Sequence, residues 1–150
     1  RDDIYGDSMR IEIKYHDPEL IHLEQKPGSD WIDLRAAEDV EMKAGEFRLI
    51  SLGVSMKLPE GYEAHVIPRS SAFKNFGVLQ TNSFGLIDES YCGSRDLWRF
   101  GALAVRDTVI HKNDRICQFR IERHQPPIHF DEVDDLGDES RGGFGSTGIR

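Results

Sequence analysis

The stretch ISLGVSMKLPEGYEAHV, residues 50–66, decides the class of fold. From Ile50 every second residue is apolar: Leu52, Val54, Met56 and Leu58 follow, with Ser51, Gly53, Ser55 and Lys57 between them. A strand returns a side chain to the same face every second residue, so this pattern predicts extended chain with one face buried. Pro59-Glu60-Gly61 then supplies turn chemistry, and the alternation resumes at Tyr62, Ala64 and Val66. Outward from this stretch, Met9 to Tyr15 alternates in the same way. Further strands are expected at Asp96–Val105, Thr108–His111 and Arg115–Glu122, with Lys112-Asn113-Asp114 as a tight turn. RAAEDVEMK, residues 35–43, has helical composition, but its setting predicts strand and turn. One segment breaks the period of two. In SSAFKNFG, residues 70–77, serines stand at a cap position, Phe73 and Phe76 at helical spacing and Gly77 at a stop, which predicts one short helix. Short strands at this spacing with little helix imply an all-β sandwich or barrel.

A chain of 150 residues, 31% charged and 38% hydrophobic, suits a single domain with its own core. The formal net charge of −8 argues against coating a nucleic acid, which requires a basic face. A polyanion would have to be held locally, by a few placed donors and a cation. No apolar run approaches the roughly 18 residues that a membrane-spanning helix needs. Cys92 and Cys117 are too few for a disulfide framework and fit a reducing compartment, and no secretion signal follows Met9, so a cytoplasmic location is expected. Residues 1–8, polar and patternless, are read as a remnant outside the fold. Residues 9–130 are read as one β-barrel domain, and residues 131–150, acidic and then glycine-rich, as a flexible C-terminal arm.

Four segments carry candidate chemistry. Pro68-Arg69-Ser70-Ser71 lies between a strand and the expected helix, where free N–H groups, two hydroxyls and a guanidinium suit a phosphate; these four residues alone favour the plainer reading of a helix cap and an Arg69 ion pair. Gly85 to Gly93 (GLIDESYCG) sets Asp88, Glu89 and Tyr91 in an apolar hairpin, where a carboxylate can act as general base toward water, or merely satisfy a turn. In Asp114-Arg115-Ile116-Cys117-Gln118, the amide of Gln118 interrupts an apolar strand and must face a ligand, a subunit junction or a structural partner. Gly143 to Gly148 matches G-x-G-x-x-G but is no dinucleotide fingerprint, because only Ile149 and Arg150 follow and no helix can open there. By itself it reads first as a disordered low-complexity end, and otherwise as a tail that folds over a nucleotide with Phe144 stacking on a base. P-loop, zinc-deaminase and H-E-x-x-H patterns are absent from the sequence.

Taken in order, Asp33-Leu34-Arg35-Ala36, Pro68-Arg69-Ser70-Ser71, Gly85 to Gly93, Asp114 to Gln118 and Arg141 to Gly148 closely resemble the five motifs of the trimeric dUTP diphosphatases. The resemblance runs from about Ile11 to Gly148. It implies a distorted jelly-roll β-barrel with one short helix after Pro68, assembled as a homotrimer with active sites shared between subunits. It also implies Mg2+-assisted hydrolysis of dUTP to dUMP and pyrophosphate, which keeps uracil out of DNA and supplies dUMP for dTMP synthesis. Under the resemblance, Asp88 activates the attacking water and Tyr91 lies beneath the deoxyribose. Asn82 reads uracil together with the backbone of Gly85 and Ile87, while Phe144 stacks on the base. Arg69, Ser70, Ser71 and Gln118 grip phosphates, Arg141, Ser146 and Thr147 close over the γ-phosphate, and Asp33 meets Mg2+ through water. The dCTP deaminases share the fold and the R-S-S motif but need a glutamate in the strand after the hairpin, and Ser94 to Val105 has none. A nucleotide-responsive binding protein is the other alternative, against which the intact Asp88 argues.

Overall fold

The computed structural model describes residues 4–5, 8–137 and 139–143. Thirteen strands and one helix follow in the order β1 (Ile4–Tyr5), β2 (Ser8–Met9), β3 (Glu12–Tyr15), β4 (Ile32–Arg35), β5 (Val40–Met42), β6 (Phe47–Ser51), β7 (Val54–Lys57) and β8 (Tyr62–Pro68). Then come α1 (Ala72–Phe76), β9 (Val78–Gln80), β10 (Gly85–Ile87), β11 (Arg99–Ala104), β12 (Thr108–Ile110) and β13 (Arg115–Arg123). The all-β expectation with one short helix holds. The strands do not close into a barrel: among the described residues the ladders form separate sheets β10-β8-β13-β4, β6-β11-β9, β12-β5, β3-β7 and β1-β2. These sheets wrap one core that includes Leu34, Ile50, Trp98, Phe100, Ile110 and Ile116. Ile4 and Tyr5, inside the stretch expected to lie outside the fold, pair with Met9 and Ser8. No helix among the described residues is long and apolar enough to cross a membrane.

The alternating residues of the 50–66 stretch are buried as expected, none of Ile50, Leu52, Val54, Met56 and Leu58 being more than 3% exposed. They do not form one strand. At Leu52-Gly53 the chain leaves the β6–β11 ladder and joins β3 as β7. Gly53 has φ +71°, and a Cβ there would lie 2.7 Å from Ala37 Cβ and 2.9 Å from a Leu20 methyl. A side chain at that position is excluded both by backbone conformation and by space. Burial thus keeps its period of two while the hydrogen bonding changes partner. The next turn is as predicted: Tyr62 N–H donates to Pro59 O at 3.2 Å.

Residues 35–43 form strand, turn and strand, so tertiary pairing of β4 with β13 and of β5 with β12 overrides helical propensity. The strand expected from Asp96 begins only at Arg99, because Asp96 turns back on Gly93. Its carboxylate accepts the Gly93 N–H at 2.8 Å and its own N–H donates to Gly93 O at 3.0 Å. The helix ends as read, with Gly77 left-handed at φ +61° and its N–H donating to Phe73 O. Ser71 takes the N-cap position without a side-chain cap hydrogen bond.

Candidate active site

β4, β8 and β13 lie side by side, with Gln118 opposite both Asp33 and Ile67. The pairing of β13 with β4 slips between Arg115 and Cys117, leaving Ile116 as an extra residue. In a regular strand, residues three apart face opposite ways; a bulge removes that rule. Arg115 and Gln118 are therefore both directed to the side where Asp33 and Arg35 stand, while Ile116 and Cys117 are fully buried. Asp33 receives two cations there: Arg69 Nε at 3.1 Å from Oδ1 and Arg115 Nη1 at 3.4 Å from Oδ2. Gln118 Nε2 donates to Pro68 O at 3.1 Å. Asp33, Arg35, Arg69, Ser70 and Gln118 border a polar cleft of about 250 Å³.

The other wall of the cleft comes from the loop before β4, with His22, Lys26 and Trp31. His22 lies flat against Tyr15, ring centroids 4.0 Å apart, and the Tyr15 hydroxyl accepts the Leu23 N–H at 2.8 Å. Arg35 is held by Asn113 O at 2.8 Å. Lys26, Arg35 and Arg69 outnumber Glu24 and Asp33 along the cleft, which suits an anionic ligand with several charged oxygens. For a divalent cation the donor set is sparse, since no group of three or more His, Cys, Asp or Glu residues among those described could hold a metal. Both oxygens of Asp33 already face guanidinium groups, which favours contact with a hydrated ion through water. A cation carried by a polyphosphate fits this arrangement, because the phosphates themselves supply most of its ligands.

A second group of candidates surrounds Asp88. Gly85 allows β10 to approach β8 closely, since a Cβ there would lie 3.1 Å from Val66 Cβ and 3.3 Å from Val66 O. Among the described residues β10 pairs only with β8, and no second strand follows within residues 85–93, so the expected hairpin is a strand followed by a turn. Three ties fix that turn. Glu89 Oε1 accepts the Gly61 N–H at 2.7 Å, the Tyr91 hydroxyl donates to Leu97 O at 2.9 Å, and Tyr91 N–H donates to Asp88 O at 3.0 Å. Asp88 itself is exposed. Its Oδ2 accepts both the Ser90 hydroxyl, at 2.5 Å, and the Ser90 N–H, at 2.9 Å. These bonds hold the Asp88 carboxyl below the ordinary aspartate range, assisted by the more distant His124. Asn82 is exposed in the loop between β9 and β10, where Ser83 has φ +59° and the Phe84 ring meets His65 edge-on at 4.7 Å.

Asp88 and the cleft lie at opposite ends of β8. Ile87 is opposite Ala64, which places Asp88 beside Glu63, whereas Arg69 follows Pro68 at the far end. Six steps of extended chain separate positions 63 and 69, about 20 Å. Asp33, Arg69, Ser70 and Gln118 are thus brought together at one end, and Ile87, Asp88 and Tyr91 stand toward the other; Gly85, opposite Val66, and the Asn82 loop before it lie toward the Pro68 end. One protomer does not bring the two groups together. Ser71 is half-buried at the head of α1 and Arg141 is exposed. Phe144, Ser146 and Thr147 lie outside the described residues. Sequence reasoning missed His22, Lys26 and Trp31, whose loop has no periodicity to single it out. It also missed Ser90 as the partner of Asp88, although an acidic residue two positions before a serine is a recurrent turn pairing.

A dUTPase family model matches residues 19–148. The chain is similar to the SPbeta prophage-derived deoxyuridine 5'-triphosphate nucleotidohydrolase of Bacillus subtilis, with 60% identity over 142 residues covering 95% of this chain and 100% of that protein. The deoxyuridine 5'-triphosphate nucleotidohydrolase of Thermobifida fusca is 35% identical over 148 residues, covering 97% of this chain and 82% of that protein. Among solved structures, the dUTPase of Staphylococcus bacteriophage 80alpha, a G164S mutant with dUpNHpp, superimposes with a TM-score of 0.75 at 18% identity, covering 93% of this chain and 99% of that one. The Streptococcus mutans dUTPase does so with a TM-score of 0.69 at 22% identity, covering 79% and 98%. The structural likenesses speak for the fold, and the sequence likenesses reach through the segments that line the cleft and carry Asp88. The family match extends over most of the sequence and one relative shares more than half of its residues, so the chain belongs to the dUTPase family.

Proposed function

We propose that the protein hydrolyses dUTP to dUMP and pyrophosphate, keeping uracil out of DNA and supplying dUMP for dTMP synthesis. The observation that carries the reading is the exposed carboxylate of Asp88, held ionised in a turn that is itself anchored at Glu89 and Tyr91. Asp88 takes a proton from a water, whose oxygen attacks the α-phosphorus; pyrophosphate leaves from the opposite side. Tyr91, pinned through its hydroxyl, supports the sugar and leaves no room for a 2′-hydroxyl. Asn82 and the backbone at Gly85 and Ile87 pair with uracil, so a base of different pattern leaves buried groups unpaired. Arg69, Ser70, Ser71 and Gln118 bind phosphate oxygens. Arg141, Ser146 and Thr147 close on the γ-phosphate, and Phe144 stacks on the base. Mg2+, when bound with the triphosphate, neutralises charge on its oxygens, and Asp33 is the residue that would meet its hydration shell.

The active unit in this reading is a homotrimer of jelly-roll protomers working in the cytoplasm. Two observations support the assembly. Asp88 and the phosphate cleft are about 20 Å apart along β8, too far to meet one α-phosphate, so the second group must come from a neighbouring subunit. In addition, Phe47, Leu103 and Leu79 stand opposite one another across β6, β11 and β9 and are largely exposed, an apolar row that suits burial against another copy. Pyrophosphate release from each deoxynucleoside triphosphate, with and without Mg2+, tests the function. Release from dUTP alone, stimulated by the metal, is expected. Ammonia release from dCTP would replace this reading with deamination.

A further inference from the structure

Three of the four residues in the Asp88-Glu89-Ser90-Tyr91 turn have evident work. Asp88 is the proposed base, Glu89 ties the turn to the Gly61 amide and Tyr91 ties it to Leu97. Ser90 makes neither kind of tie. Both of its donors, the hydroxyl at 2.5 Å and the amide at 2.9 Å, are spent on the same oxygen of Asp88, Oδ2. An exposed carboxylate otherwise rotates about its last bond and offers either oxygen to solvent. Two donors on one oxygen stop that rotation and distinguish the two oxygens chemically.

We propose that Ser90 is a positioning residue for the hydrolysis: by occupying Oδ2 of Asp88 it presents Oδ1, in one orientation, to the attacking water. The inference rests on the role given to Asp88 above. The backbone N–H donation would survive any substitution at position 90 other than proline, so the hydroxyl is what the residue type contributes. Its donation to the ionised oxygen also favours the charged form, which keeps the base ready at the expense of some basicity. The other charged groups around the turn are Glu89 on it, Glu63 on β8 and His124 just beyond β13. His124 stands 3.8 Å from each of the two glutamates and attracts Asp88 only at a distance. None of them changes when Ser90 is replaced.

The test measures kcat and KM for dUTP as a function of pH for the wild type, Ser90→Ala, Ser90→Thr and Asp88→Asn. Melting temperature and oligomeric mass establish that each is folded. Ser90→Ala is expected to lower kcat on the order of tenfold with little change in KM, because a misaligned base affects the reacting state more than the bound one. The acid limb of its profile moves to higher pH, since a donor that favoured the carboxylate has gone. Ser90→Thr keeps a hydroxyl and restores both properties. Wild-type kcat and an unmoved acid limb in a folded Ser90→Ala variant, with Asp88→Asn inactive, overturn the inference and leave the role of Asp88 standing. Full turnover in Asp88→Asn overturns that role, and this inference with it.

Discussion

Mixing two inactive variants provides a severe test of where the active site lies. Asp88→Asn removes the proposed base and leaves the cleft intact; Arg69→Ala removes a proposed phosphate ligand and leaves Asp88 intact. If each site were built within one chain, a mixture of the two would contain no complete site. The structure argues otherwise, because six residue steps along β8, about 20 Å, separate the two positions within a protomer. In a cyclic trimer each site then takes Asp88 from one chain and Arg69 from the next. When the variants are co-expressed in equal amounts, a site is complete only if its first chain is Arg69→Ala and its second is Asp88→Asn. Random assembly meets both conditions with a probability of one half each, so about one quarter of the sites regain both groups. Pyrophosphate release from dUTP should therefore recover to about a quarter of the wild-type rate per chain, while either variant alone stays near background. Distinct affinity tags on the two chains show whether mixed oligomers have formed. Mixed oligomers without recovered activity would refute the division of the site between chains, and a strictly monomeric protein would refute it sooner.

Asp88→Asn alone should abolish turnover yet leave dUTP affinity within about tenfold by calorimetry, since the group activates water and holds no phosphate. Gly85→Ala pushes a methyl group against Val66 on β8, costing about 1–3 kcal/mol in denaturant unfolding and lowering kcat through displacement of the adjoining Asp88. The acid limb of kcat/KM at saturating Mg2+ should fall below the ordinary aspartate value of about 4. The folded-state pKa of Asp88 is depressed, so its ionised form persists as pH falls through the ordinary value and is lost only beneath it. Deleting the residues after Ser140 should reduce kcat by at least about tenfold while sedimentation shows an unchanged assembly; full activity in the truncated protein would exclude an arm that closes over the site.

Local signals in the sequence were most legible where a residue has one physical option. Pro59-Glu60-Gly61 could only turn, Gly77 could only end a helix, and the spacing of Ile50, Leu52, Val54, Met56 and Leu58 announced their burial. Strand partnership was another matter. Gly53 passes the chain between sheets because Ala37 and Leu20 fill the space beside it, and both contacts come from distant sequence. Asp96 reads as the start of a strand until Gly93 is seen within reach of its carboxylate. In the candidate site, the motif residues and their division into phosphate and sugar groups followed from the family resemblance, whereas composition alone left each motif with a structural explanation. The bulge at Ile116, which turns Arg115 toward Asp33, depends on the register between β13 and β4 and is silent in either segment alone. The same holds for His22 and Lys26: their loop acquires a purpose only once β13 brings β4 and β8 into one sheet.

The two cysteines lie in opposite surroundings, and this makes the native protein a ready substrate for chemical labelling. Cys92, next to Tyr91, is exposed, whereas Cys117 is fully buried and its thiol is pushed up by burial. A maleimide dye added to the folded protein should couple at Cys92 alone, placing a reporter beside the sugar contact without any engineered change. A thiol count before and after denaturant would then rise from one to two per chain and serve as a measure of the folded fraction in any preparation.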